Sequence, residues 1–151
     1  MAALYHPLPM DTLAPVKTKL SSVATSAGYR VAVTPAYVPE QSDPEQRRYV
    51  FEYQVQVRNV EGRAATLRSR HWVIVDELGR VNEVRGDGVV GRQPRLDVGQ
   101  TFVYKSFCPL PTPWGTMEGE FQMEGADGEW FEVKVGRFYL VAPTQRTPLP
   151  A

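Results

Sequence analysis

The residues best suited to bind a ligand form a glycine-rich stretch, Arg85-Gly86-Asp87-Gly88-Val89-Val90-Gly91. A G-x-G-x-x-G pattern binds phosphate when it follows a strand and opens a helix, because the helix N-terminus presents free N–H groups. Here it follows a strand-like run, but the next residues, Arg92-Gln93-Pro94-Arg95, show no helical period, and proline opposes helix continuation. The loop therefore has two open interpretations.

In the first interpretation, Gly86 and Gly88 supply positive φ for a turn or bulge that joins two strands. In the second, the loop amides form a nest around a phosphate, a pyrophosphate or a dinucleoside polyphosphate, and arginines add charge-assisted hydrogen bonds. The candidate binding residues are Arg85, Gly86, Gly88, Gly91 and Arg92.

Metal ligation and catalysis have little support in the residue types. The only imidazoles and thiol are His6, His71 and Cys108, and neither Cys-x-x-Cys nor His-x-His occurs. We expect a structural His71 that hydrogen-bonds through its ring, and a buried, inert Cys108. We predict no catalytic residues, no metal site and no cofactor.

One aromatic residue is a candidate anchor for a partner. Trp114 follows Pro109-Leu110-Pro111-Thr112-Pro113, and an aromatic side chain on a constrained loop loses little entropy on docking. The alternative is that Trp114 caps one end of the core.

Composition limits the classes of function. The 151 residues fit one domain, and 17 basic residues balance 17 acidic ones, so the chain lacks the basic excess of a nucleic-acid-binding protein. A single cysteine favours a reducing compartment, and the chain has no apolar run of about 18 residues and no convincing signal peptide. We expect a cytoplasmic protein without a membrane span.

Alternating apolar residues predict the elements that position these candidates. Tyr49 to Arg58 alternates best, with Tyr49, Phe51, Tyr53, Val55 and Val57 on one side. About seven such short strands, separated by turn signals, predict an all-β sandwich of immunoglobulin or fibronectin type III kind, with a small barrel as the alternative. We assign residues 1–28 to a flexible or docked extension, 29–143 to the sandwich, and 144–151 to a tail.

Four stretches resemble the ApaG family: Tyr49-Val50-Phe51-Glu52-Tyr53, Ser69-Arg70-His71-Trp72, the glycine loop with its flanks (Glu83 to Pro94), and Thr112-Pro113-Trp114-Gly115-Thr116-Met117-Glu118-Gly119. The chain departs from the family pattern at Asp87, where glutamate is usual, at Phe107, where glycine is common, and in its longer first 28 residues. The resemblance implies a fibronectin-like sandwich and a link to cobalt and magnesium homeostasis. It implies no catalytic set.

The sequence thus predicts a non-enzymatic binding module with a protein partner. Exposed edge strands would also allow pairing with a second copy of the chain. The alternative is a small-ligand domain that holds a phosphate-containing molecule at Gly86 to Gly91.

Overall fold

The computed structural model describes residues 19–143, and the statements below concern that range. Residues 1–18 of the predicted extension lie outside the described residues, and so does the whole predicted tail, residues 144–151. Nine strands occur in this range: β1 (Ser22–Ser26), β2 (Tyr29–Tyr37), β3 (Tyr49–Asn59), β4 (Ala65–Asp76), β5 (Val81–Asp87), β6 (Arg95–Leu96), β7 (Thr101–Leu110), β8 (Trp114–Gly125) and β9 (Trp130–Val141). Two short 3-10 turns, Pro39–Gln41 and Pro44–Gln46, connect β2 to β3.

The strands form two antiparallel sheets, which confirms the prediction of an all-β sandwich. One sheet has the order β1-β2-β3-β7. The other has the order β5-β4-β8-β9, with β6 paired to β4. No helix in the described range is long and apolar enough to cross a membrane.

The core lies between the sheets, and the alternation predicted for β3 places its residues as expected. Phe51, Val55 and Val57 are fully buried. Trp72 of β4 packs edge-on against Tyr53 from the first sheet, with ring centroids 5.6 Å apart. Such aromatic contacts between sheets fix which face of each strand is buried.

The sandwich has two strands more than predicted, and one of them begins the fold before Tyr29. Strand β1 pairs with β2 and lies inside the span assigned to the extension. Its small, mostly polar residues give no apolar alternation, and they lie at the edge of the sandwich beside β9. There the Ser26 Oγ accepts a hydrogen bond from the Lys134 amide at 2.8 Å. The other additional strand, β6, is two residues long and too short to give a periodic signal.

Candidate functional site

The glycine loop is a tight turn with no helix after it. Strand β5 ends at Asp87, and Val89 and Arg92 exchange two backbone hydrogen bonds of 2.8 Å. The two residues between them, Val90 and Gly91, have φ of 45° and 78°. Positive φ at both central positions identifies a type I′ hairpin turn, which matches the twist of paired strands.

The two glycines before this turn have different roles. Gly88 has φ of 63°, and a Cβ on it would lie 2.3 Å from the Arg92 carbonyl oxygen. Gly86 does not have positive φ and belongs to β5, which corrects the first interpretation of the loop at this residue. Its missing side chain instead makes room for Arg70, whose Nη1 would lie 2.8 Å from an added Cβ.

Arg70 holds the loop against β4. Its Nη1 donates to the carbonyl oxygens of Asp87 and Gly88, at 3.1 and 3.0 Å. The Gly88 amide donates to the Arg68 carbonyl at 2.7 Å, and the amides of Val89 and Arg92 are used within the turn. A phosphate nest at these amides would have to break existing hydrogen bonds.

A recess of about 530 Å³ lies beside the loop. Its lining combines two arginines, two carboxylates and small or amide groups: Ser69, Arg70, Arg85, Gly86, Asp87, Gln122 and Glu132. Of the predicted ligand residues, Arg85 and Gly86 therefore line the recess. Gly91 and Arg92 belong to the turn that follows, and Gly88 lies just before that turn.

His71 is the cross-strand neighbour of Arg85, which lines the recess. Two carboxylates bond the His71 ring, and we name this arrangement the carboxylate clamp. The His71 ring bonds Glu120 Oε1 through Nδ1 at 2.6 Å and Glu83 Oε1 through Nε2 at 2.9 Å. The hydrogen bond to Glu120 has the largest effect on the pKa of His71 and the one to Glu83 the next largest. Together they raise this pKa above its usual value, although burial acts to lower it. The clamp therefore joins three neighbouring strands, β5, β4 and β8.

The clamp agrees with the hypothesis of a structural His71. Its two carboxylates were not identified from the sequence as partners of the ring. The available signal was the strand alternation, which places all three side chains on the outer face of one sheet. Within residues 19–143, no group of three or more His, Cys, Asp or Glu side chains is arranged to hold a metal ion.

Trp114 is the first residue of β8 rather than a loop residue, and its side chain is 42% exposed. It pairs with Val141 of β9. Two residues along β8, Thr116 pairs with Tyr139 of β9 on one side and with Val75 of β4 on the other. On the far side of β4, Val75 pairs in turn with Val81 of β5. These pairings bring apolar residues from all four strands to one end of the outer face, with Thr116 between those of β4 and β9. We name this group the Trp114 face: Val75, Val81, Trp114, Tyr139 and Val141.

The single cysteine lies in surroundings that disfavour its reactive form. Cys108 is buried in the core, and burial raises the pKa of its thiol to about 12. Since the thiolate is the reactive form, this side chain is a weak nucleophile at neutral pH.

Comparison with known proteins agrees with this architecture. The model of the ApaG domain matches residues 39–125. The chain belongs to the ApaG family. It is 55% identical over 113 residues to Protein ApaG of Bordetella pertussis, covering 75% of this chain and 86% of that protein. It is 51% identical over 123 residues to Protein ApaG of a Methylobacterium species, covering 82% and 95%.

A crystal structure described as an ApaA protein from Bordetella pertussis superposes with a TM-score of 0.72 at 50% identity, covering 84% of this chain and 98% of that one. The matched ApaG domain contains the glycine turn, the carboxylate clamp and Trp114. It ends before Tyr139 and Val141, so part of the Trp114 face lies beyond the ApaG match.

Proposed function

We propose that this member of the ApaG family is a non-enzymatic interaction module of the cytoplasm that binds a protein partner through the Trp114 face. The observation that carries the proposal is the exposure of large apolar side chains on one sheet face. Val81, Trp114, Tyr139 and Val141 are 63%, 42%, 38% and 40% exposed. Exposed large apolar side chains that gather on one face of a sheet are typical of a protein-binding site.

The strands that carry this face favour binding with little loss of entropy. Trp114, Tyr139 and Val141 lie on two strands that are paired along their length. Their backbone is therefore already ordered before a partner arrives, and tryptophan and tyrosine are among the residues most enriched at interface hot spots. The link to cobalt and magnesium homeostasis, which the family resemblance implies, would then act through the partner.

The proposal is tested by comparing two tryptophans of the same sheet. Trp130 is 58% exposed at the far end of β9, where it pairs with Glu124, and so provides a matched control for Trp114. A partner captured by the wild-type chain is purified, and its affinity is measured for each variant. We expect Trp114→Ala to weaken binding about tenfold or more, and Trp130→Ala to change it by about twofold or less.

Equal effects of the two substitutions would contradict the proposal. Sedimentation of the wild-type chain and of Trp114→Ala tests a second copy of the chain as the partner. A dimer that dissociates in Trp114→Ala alone would identify the Trp114 face as a self-association surface.

A second candidate, binding of a phosphate-containing ligand, is favoured by the recess in which Arg85 and Arg70 lie beside Gly86. The carboxylates of Asp87 and Glu132 in the same lining oppose an anion. An NMR titration with pyrophosphate and a diadenosine polyphosphate tests this candidate. Saturable shifts at Arg85 and Gly86 would support it. Unchanged spectra at millimolar ligand would contradict it and leave protein binding as the remaining proposal.

A further inference from the structure

An uncharged groove opens at the end of the sandwich that also carries Trp114. It encloses about 450 Å³, within the range of about 300–1,000 Å³ of small-ligand sites. Its lining consists of prolines, tyrosines and one alanine, and we name it the proline groove: Tyr37, Pro39, Pro44, Tyr49, Pro113, Ala142 and Pro143.

The walls of the groove are fixed by the fold. The Tyr37 ring packs on Phe51 of the core with centroids 5.5 Å apart. On the opposite wall, the Ala142 amide donates to the Pro113 carbonyl at 2.8 Å, which holds the two segments together. The two tyrosines come from β2 and β3, which pair with each other, so both aromatic rings are positioned by regular structure. The groove is therefore preformed.

The side chains of the groove match one class of ligand. Extended segments that contain proline bind to aromatic-lined grooves, because their rings pack on tyrosine and their restricted backbone loses little entropy. A peptide with charged groups facing the lining would lose hydration without finding a partner there. The lining thus selects an apolar, proline-containing segment.

Charge along one rim adds a second element of selectivity. Glu40 and Glu45 are exposed and directly follow Pro39 and Pro44 of the lining. Arg47 and Arg48 follow the second 3-10 turn and are basic, so the acidic part of this rim is limited to the two 3-10 turns. A lysine or arginine next to the prolines of the ligand would be attracted to these carboxylates.

We propose that the proline groove binds an extended, proline-containing segment of a partner protein with a basic residue beside its prolines. The lining of the groove shares no residue with the Trp114 face, although Pro113 and Ala142 adjoin Trp114 and Val141 in the sequence. The two sites are therefore tested by different substitutions.

The probe is the synthetic peptide Gln-Arg-Thr-Pro-Leu-Pro, which has the required chemistry and also occurs as residues 145–150 of this chain. It is titrated into the full chain while the ring signals of Tyr37 and Tyr49 are followed by NMR. We expect saturable shifts of both rings, and at least about tenfold weaker binding when alanine replaces both prolines of the peptide. The titration is repeated on Pro148→Ala/Pro150→Ala, which removes the chain's own copy as a competitor.

A charge-reversal variant keeps the proposal testable without disturbing the core. Glu40→Lys/Glu45→Lys should weaken peptide binding about tenfold, whereas Glu61→Lys, an exposed glutamate of another turn, should leave it unchanged. Binding seen only in Pro148→Ala/Pro150→Ala would support the groove's selectivity and identify residues 145–150 as a competitor. The proposal is overturned if neither chain shows shifts at millimolar peptide, if the alanine peptide binds equally well, or if the two charge variants behave alike.

Discussion

At the scale of single residues, the carboxylate clamp shows how a polar cluster is stabilised on a sheet surface. His71 is only 8% exposed although it faces outward, because Glu83 and Glu120 cover both ring nitrogens. Arg85, its cross-strand neighbour, acts against the positive charge on the ring. On the other side, Lys134 is the cross-strand neighbour of Glu120. The protonated ring is the form that satisfies both carboxylates.

The first prediction concerns the titration of this ring. The His71 pKa is raised in the folded protein. The clamp therefore contributes its full stabilisation at pH values below the pKa of the unfolded chain, about 6.5, and this contribution is lost as pH rises through the pKa of the folded protein. In an NMR titration, we expect a His71 midpoint above about 6.5. Glu120→Gln should lower this midpoint more than Glu83→Gln, since Glu120 forms the shorter bond.

The stability difference between the wild-type chain and His71→Gln should shrink when unfolding is measured at increasing pH across the same range. A difference that grows with pH would show that the ring is held in its neutral form. Lys134→Gln serves as the control, because it changes a nearby charge without touching the ring.

At the scale of elements, the strands were predictable where alternation was long and unpredictable where it was missing. Strand β3 was identified because one face is apolar from Tyr49 to Val57 and is buried from Phe51 onward. Strand β1 was not identified, because its position at the sheet edge beside β9 is filled by small, mostly polar residues that show no apolar alternation. The glycine loop was recognised as special, but the reason for Gly86 could not be assigned from sequence. Arg70 lies opposite Gly86 only because β4 pairs with β5 in this register.

The second prediction separates the glycines of the loop. Gly88→Ala should destabilise the fold by more than Gly91→Ala, because an added Cβ meets the Arg92 carbonyl at Gly88 and meets nothing within 4 Å at Gly91. For Gly91→Ala we expect a loss of about 1 kcal/mol from positive φ alone, and Gly91→Asn should recover part of it. Denaturant unfolding measures all three variants, and equal losses at the two positions would contradict the assigned contacts.

The third prediction concerns Asn59, a fully buried residue at the end of β3. Its Nδ2 donates to the carbonyl oxygens of Leu96 and Arg63, at 3.0 and 3.2 Å, and its Oδ1 accepts from the Gly62 amide at 2.8 Å. Asn59→Ala should cost about 2–4 kcal/mol, because the Gly62 amide loses its acceptor and the two carbonyl oxygens are left to share the Tyr29 hydroxyl as donor. Asn59→Asp should cost at least as much, since a carboxylate cannot donate to the two carbonyls. An unchanged unfolding midpoint for Asn59→Asp would contradict this network.

At the scale of the whole molecule, the two sheets enclose a core that is shielded from solvent. Cys108 is the single cysteine and is buried within that core. The family and the sandwich could be predicted from sequence motifs and alternation. The Trp114 face and the proline groove could not, because each combines residues from segments that are distant in the chain.

The fourth prediction uses this thiol as a probe of opening. Since burial raises the pKa of Cys108 to about 12, a thiol reagent should label the native chain slowly at neutral pH and the unfolded chain rapidly. The labelling rate should rise in Asn59→Ala in proportion to the larger unfolded population if labelling requires global opening. Rapid labelling of the native wild-type chain would show that the thiol is accessible without unfolding.

The contact between β1 and β9 has a consequence for the newly made chain. The Ser26 side chain accepts from the Lys134 amide, and the Leu20 carbonyl accepts from the Tyr139 amide at 2.9 Å. Among residues 19–143, these contacts to β1 and to the residues just before it form only once β9 is present. Pairings this distant in sequence make folding slow. We expect the sandwich to close only after β9 has emerged from the ribosome, so that the preceding strands depend until then on protection from aggregation.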